Sequence, residues 1–251
     1  MLEGIYIANT GMNVQQRKQE YISQNLNNTE TTGYKRETVA CESFPEMLMQ
    51  RVRGQRARDA AYIGSTGRGV AVTPPAANFE AGSLVETGRK MDLAIDGEGF
   101  FAVTTADGVR YTRNGAFCRN DAGYLVTAGG DPVLGQNGQI LASEQVTVTA
   151  GGVIMADGEE VDRLLLTTFE NLEGLQKTDK GLFKADNTAN PRVSQERVVL
   201  KQGFLEQANV DLASEMAEMV TVMRVYELNQ RMLQAQDQLM GKSIEEIGKL
   251  R

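Results

Sequence analysis

Between Asn209 and about Leu250, apolar residues recur at every third or fourth position. The line runs Leu212, Met216, Met219, Met223, Tyr226, Leu233, Met240, Ile244 and Ile247, with polar breaks at Gln230 and Asp237. A repeat near 3.5 residues predicts an α-helix that buries a narrow seam against other helices. A second apolar line flanks it: Ala213, Val220, Leu228, Met232, Ala235 and Leu239. Asn209 and Asp211 suit the N-cap, because their side chains accept from the first free backbone N–H groups. No glycine or proline interrupts the run between Phe204 and Met240. At 1.5 Å per residue the helix is predicted to be roughly 55–60 Å long. Helices of globular proteins mostly stop near about 10–14 residues. One this long needs partners outside its own domain, or a second long helix beside it.

The N-terminal segment repeats the pattern more weakly. Ile5, Ala8, Met12, Gln15, Gln19, Ile22 and Leu26 fall at three-four spacing, which predicts a second amphipathic helix. It exits through Asn25–Leu26–Asn27–Asn28, since asparagine competes for backbone hydrogen bonds and tolerates turn conformations. From Glu37 to Ala81 the pattern is irregular. Phe44, Met47, Leu48 and Val52 suggest one short helix after Pro45, and Gly64, Gly67 and Gly69 break regular structure beyond it.

From Gly82 the period changes to two. Met91, Leu93 and Ile95 alternate with Asp92, Ala94 and Asp96, as in a half-buried strand. Strands are predicted at 100–105 and 109–113 around an Asp107–Gly108 turn. Asn114–Gly115 is a strong hairpin signal, because type I′ turns need positive φ at both central residues. Further strands are predicted at 116–119, 124–127, 132–134, 146–149, 153–155, 164–169, 198–200 and 203–205. Several short strands at close turn spacing argue for an all-β sandwich or barrel-like domain. The layout is α+β: long terminal helices paired as a coiled-coil-like stem, with an inserted all-β domain. The expected divisions are 1–36 (N-terminal helix and exit), 37–81 (connector), 82–202 (β domain) and 203–251 (C-terminal helix).

Composition narrows the chemistry. A formal net charge of -7 over 251 residues argues against nucleic acid as a partner. The mean hydropathy is -0.33, and no apolar run is long enough for membrane insertion. Residues 1–10 carry no basic segment followed by an apolar core, which argues against a cleaved secretory signal. Histidine is absent, and the two cysteines, Cys41 and Cys118, lie far apart, so neither a disulfide framework nor a cysteine–histidine dyad is expected. No cofactor or metal motif is present. Gly97–Glu98–Gly99 lacks the third glycine of a dinucleotide site, and 64–69 lacks the lysine of a phosphate loop.

Three motifs resemble the bacterial flagellar rod and hook axial family. The first is Asn25, Leu26, Asn28, Thr31, Gly33, Tyr34 and Lys35, within Asn25–Leu26–Asn27–Asn28–Thr29–Glu30–Thr31–Thr32–Gly33–Tyr34–Lys35. It is similar to the family's N-L-A-N-x-x-T-x-G-[FY]-K and departs at Asn27, where alanine is usual. The second is Asp96–Gly97–Glu98–Gly99–Phe100–Phe101, followed by Tyr111–Thr112–Arg113–Asn114–Gly115–Ala116–Phe117 and Gly123–Tyr124–Leu125–Val126. The third is Gly203–Phe204–Leu205–Glu206–Gln207–Ala208–Asn209–Val210–Asp211, with Tyr226–Glu227–Leu228–Asn229 further on. The motifs span nearly the whole chain in the family's order.

The resemblance implies a structural subunit of the basal-body rod, in the cell-envelope-spanning flagellar basal body. Its partners would be copies of itself, other axial rod and hook proteins, and the flagellar type III export apparatus. The expected assembly seam is Ile5, Met12, Ile22 and Leu26 on one helix. On the other it is Leu212, Met216, Met219, Met223, Tyr226, Leu233 and Met240. The connector is short for a distal subunit, which favours a proximal position.

Two other classes fit the residues less well. One is a secreted coiled-coil protein displaying a β binding domain, an adhesin. The other is a cell-wall hydrolase using Asp92, Asp96 and Glu98, since paired carboxylates cleave glycosides. Asp92 and Asp96 are expected on the solvated polar face of one strand, where acids are routine. Arg51, Arg53, Arg56 and Arg58 form a small basic patch, more often a solvated face than a contact site.

Overall fold

The computed structural model describes residues 2–44, 47–52, 60–142, 146–156, 159–178, 181–193 and 198–249. It is α+β, with a long helix at each end of the chain and a large β region between. The chain divides into two compact units. One comprises Met1–Leu26, Glu37–Ala76 and Leu212–Arg251, the other Asn27–Arg36 and Ala77–Asp211.

In the first unit, α1 spans Leu2–Asn27 and α2 spans Leu212–Lys249. Both are amphipathic, so their stability rests on what their faces touch rather than on propensity. Among the described residues, neither is apolar enough to cross a membrane. The connector contains two antiparallel ribbons: Cys41–Ser43 with Val70–Val72, and Met47–Val52 with Ala60–Thr66. The expected short helix at Met47 and Val52 is therefore a strand. The reason is a partner that local periodicity cannot reveal: Tyr62, Ile63 and Thr66 form a β-favouring strand opposite. Gly64 does not break it. It pairs with Met49 beside a bulge that leaves one extra residue before Tyr62 faces Gln50. Arg53, Arg56 and Arg58 lie outside the described residues.

The second unit holds a six-stranded sheet. Its strand order is Leu175–Lys177, Phe183–Ala185, Gly108–Thr112, Phe100–Thr105, Leu166–Phe169 and Pro191–Val193. Phe101, Val103, Leu93, Ile154 and Leu164 anchor the main core, and Phe79, Phe100, Phe169 and Phe183 pack edge-to-face in a second. Val199–Gln202 pairs with Leu93–Asp96, and Phe204–Glu206 with Leu84–Glu86.

Two strand-level expectations are corrected. Leu93, Ala94 and Ile95 are all buried, so this strand is covered on both faces and does not alternate with water. Asn114–Gly115 does not close a hairpin: Gly108–Thr112 pairs with Phe100–Thr105, and Phe117–Arg119 with Leu125–Thr127. Asn114 makes a side-chain turn by accepting from the Ala116 N–H at 3.0 Å. Gly115 is needed for close approach, because a Cβ there would collide with the Leu93 carbonyl.

Candidate functional site

The first and third motifs meet in the second unit, around a buried ionic cluster. Gly33 has φ +67°, and a Cβ on it would lie 2.5 Å from the Arg113 carbonyl carbon. Only glycine fits this left-handed, crowded position. Its N–H donates to the Glu206 carbonyl at 2.7 Å, aiming the next residues at the strand Phe204–Glu206. Two residues on, Lys35 Nζ donates to Glu206 Oε1 at 2.6 Å and to the Glu80 carbonyl at 2.7 Å. The Gly82 N–H donates to the same Oε1 at 2.9 Å. Arg113, from the second motif, reaches Glu206 Oε2 at 3.5 Å and the Gly97 carbonyl at 2.8 Å.

Burying two cations around one carboxylate is costly unless hydrogen bonds replace water. Here Lys35 and Glu206 find such bonds, and Arg113 finds them at its two terminal nitrogens while its Nε is buried without a partner. Burial pulls the Lys35 ammonium below its usual range, with Glu206 opposing the shift. Arg113 is lowered for the same reason, opposed by Glu206 and Glu98. Asn209 closes the junction. Its Oδ1 accepts from the Arg36 N–H at 2.7 Å, and its Nδ2 donates to the Asn78 and Glu80 carbonyls at 2.8 and 3.0 Å. Asn209, one of the two residues expected at the N-cap, thus ties three chain segments together, while Asp211, the other, directly precedes Leu212, where α2 begins. Tyr34 is buried, with Lys177 Nζ 3.9 Å above its ring. Asn28 accepts from the Thr31 hydroxyl at 3.1 Å and forms the turn after α1.

Within the first unit, Asn25 is buried. Its amide brackets the Glu37 backbone, donating to the carbonyl at 2.9 Å and accepting from the N–H at 3.0 Å. It also donates to Glu215 Oε2 on α2 at 3.3 Å. Asn27, the departure from the family pattern, is exposed, so its larger side chain meets no packing constraint.

Two glycines of α1 also lie against α2. A Cβ on Gly11 would sit 3.2 Å from the Asn229 amide, and one on Gly4 would meet that of Gln236. Gly4 to Gly11 is seven residues forward while Gln236 to Asn229 is seven back. Gly11 to Asn25 is fourteen forward while Asn229 to Glu215 is fourteen back.

The expected seam residues divide. Ile22 is buried; Ile5, Met12, Leu26, Met219, Tyr226, Leu233 and Met240 are half-buried; Leu212, Met216 and Met223 are exposed. The covered face of α2 follows a neighbouring line, Glu215, Val222, Asn229 and Gln236. Val222 is 5% exposed against 53% for Met216. Apolar periodicity missed this line because most of it is polar. The residues that face it on α1 include glycines, which carry no hydrophobic signal.

Of the acids weighed for hydrolysis, Asp92 and Asp96 are engaged elsewhere and Glu98 is exposed. Asp92 is buried rather than solvated, held by Arg89 at 2.8 Å through two nitrogens and by the Thr87 hydroxyl at 2.6 Å. The physical reason is its place just before Leu93–Asp96, where its backbone also bonds to Arg89 and Gly203. Asp96 is exposed and pairs with Lys201 at 2.7 Å. Cys41 and Cys118 are free and exposed.

Three family models match the chain. Residues 5–35 match the flagella basal body rod protein model, 94–156 the flagellar hook protein FlgE/F/G D1 domain, and 201–246 the flagellar basal body rod FlgEFG protein C-terminal model. The chain is 30% identical to flagellar basal-body rod protein FlgG of Bacillus subtilis, over 97% of this chain and 98% of that one. It is 32% identical to the flagellar hook-basal body complex protein FlhO of the same organism, over the full length of both. With flagellar basal-body rod protein FlgF of Caulobacter vibrioides the identity is 31%, again over both full lengths.

Proposed function

We propose how assembly works in a chain that belongs to the flagellar basal-body rod protein family. The protein is a structural rod subunit of the flagellar basal body, not an enzyme, and it assembles with other axial flagellar proteins. Neither the adhesin nor the wall-hydrolase reading is favoured by this membership.

In our reading α1 and α2 pair antiparallel as a coiled-coil-like stem. The matched seven-residue steps from Gly4–Gln236 through Gly11–Asn229 to Asn25–Glu215 support it. So does the half-buried line Met219, Tyr226, Leu233 and Met240 beside those contacts. The stem and connector act as one part, and the β region of about 82–202 as another.

The observation that carries the assembly reading is the apolar surface left on α2. Leu212, Met216, Met223, Leu228, Met232 and Leu239 remain exposed in the single chain. Fully burying each such side chain contributes about 1.5–3 kcal/mol, so a partner that covers them gains stability. These residues, with the rest of the expected seam, would be covered in a helical polymer of this chain and other axial proteins. Delivery would use the flagellar type III export apparatus, as the family resemblance implies.

The test is a strain producing only Met223→Asp, scored for swimming and for hook–basal-body yield. Loss of both is expected. Normal particles containing the variant would overturn the assembly role of this surface. Cross-linking of Gly11→Cys with Asn229→Cys within one chain tests the stem separately.

A further inference from the structure

The second unit holds a cavity of about 340 Å³, within the range that takes a small ligand or one large side chain. Its apolar walls are Phe79, Phe100 and Phe169. Phe79 and Phe169 each meet Phe100 edge-to-face, with ring centres 5.6 and 5.4 Å apart. Phe100 is buried, while Phe79 and Phe169 are half-buried. Leu172, at the start of the 3₁₀ turn Leu172–Gly174, lines the same cavity and is exposed. A ring entering here meets three others, and aromatic groups gain from such offset and edge-to-face contacts.

The charged lining is Arg113, Glu80 and Glu98. Arg113 is 4% exposed and lies over the Phe100 ring, 5.2 Å from its centre. Its terminal nitrogens reach Glu206 and the Gly97 carbonyl, but its Nε is buried with no partner. A buried donor left unmatched is costly, and an occupant that brings an oxygen to this wall removes that cost. Glu80 and Glu98 are exposed, and neither forms an ion pair among the described residues. The lining thus sets two carboxylates against one guanidinium that Glu206 already pairs, which favours a cation at the mouth.

We propose that this cavity binds a peptide segment of a partner protein in which a tyrosine is flanked by lysine or arginine. The tyrosine ring packs against the three phenylalanines, and its phenol oxygen accepts from Arg113. The basic neighbours lie against Glu80 and Glu98. A carboxylate ligand would suit Arg113 but be repelled by both acids. An aliphatic cation would suit the acids but leave the rings and Arg113 unmatched. A phenol with cations beside it answers all three, and a peptide carries them on neighbouring residues. The site is separate from the helix surface on which the assembly reading rests, and does not depend on that reading.

The test titrates the full chain, labelled with nitrogen-15, with acetyl-Lys-Tyr-Lys-amide and follows backbone amide shifts. Saturable shifts at Gly99, Phe100, Phe169 and Leu172 are expected. The peptides with phenylalanine or alanine in place of tyrosine, and acetyl-Glu-Tyr-Glu-amide, should each bind about threefold or more weakly. Glu80→Gln with Glu98→Gln should abolish the preference for the lysine peptide over the glutamate one. Both acids are exposed, so the rest of the spectrum should stay native. Leu172→Lys, which adds a cation at the rim, should weaken the lysine peptide in the same way, by the few-fold that exposed charge pairs supply. No shift at these amides with the peptide at about 10 mM, roughly tenfold above a millimolar Kd, would overturn the proposal. So would equal binding of the alanine peptide, or tighter binding of the glutamate one. Each of these results leaves the rod-subunit reading standing.

Discussion

Lys35 and Glu206 stand 171 residues apart in the sequence and 2.6 Å apart in the fold, both withdrawn from water. One belongs to the segment leaving α1 and the other to the segment entering α2. Their contact ties together two segments of the second unit that lie far apart in the chain.

Removing the carboxylate while keeping its shape takes the partner from both Lys35 and Arg113. Glu206→Gln should destabilise the protein by about 3–5 kcal/mol, the usual cost of leaving a buried charge without its partner. Burial already lowers Lys35, and loss of Glu206 removes what opposes that shift. A folded value below the ordinary lysine value of about 10.4 means that the native state binds fewer protons than the unfolded chain in that window. The stability of Glu206→Gln should therefore rise as pH climbs toward that value, more steeply than in the parent. Urea midpoints at neutral and alkaline pH measure it, and parallel profiles would contradict the assignment.

Gly33→Ala should cost at least about 2 kcal/mol. It adds a left-handed strain of about 1–3 kcal/mol to a clash with the Arg113 backbone, which cannot rotate away. Thermal unfolding of the purified variant reads this directly, and an unchanged midpoint would show that the turn relaxes freely.

Gly11→Leu should loosen the helices without unfolding the β region. The side chain must displace the Asn229 amide, and overpacking of this kind typically costs about 1–3 kcal/mol. The expected result is loss of helical circular dichroism with the near-ultraviolet signal retained. Full retention of helicity would argue that the contact is peripheral.

Met223→Asp should hardly alter the isolated chain, because Met223 is 42% exposed there and surface substitutions usually stay within about 0.5 kcal/mol. The same charge should prevent assembly, where an unpaired buried carboxylate is strongly disfavoured. Urea unfolding of the free chain and particle yield in cells separate the two effects. A large drop in monomer stability would mean that Met223 is internal.

The sequence by itself determined the two long terminal helices, because a 3.5-residue apolar period can be read without knowing any partner. It also determined the paired strands at Phe100–Thr105 and Gly108–Thr112, where alternation and a glycine turn act within a few residues. The motif order pointed to the family for the same local reason. Tertiary structure alone decided which face of α2 turns inward. Glu215, Asn229 and Gln236 are polar and face Asn25, Gly11 and Gly4, so hydrophobicity marks that contact only through Val222 and the half-buried line beside it. It decided that Met47–Val52 is a strand, since the stabilising partner at Ala60–Thr66 outweighs the local pattern. It also decided the burial of Lys35, Arg113, Glu206 and Asp92. A charged residue reads as solvent-facing until the fold delivers the opposite charge and the carbonyls that replace its water, and those partners come from distant segments.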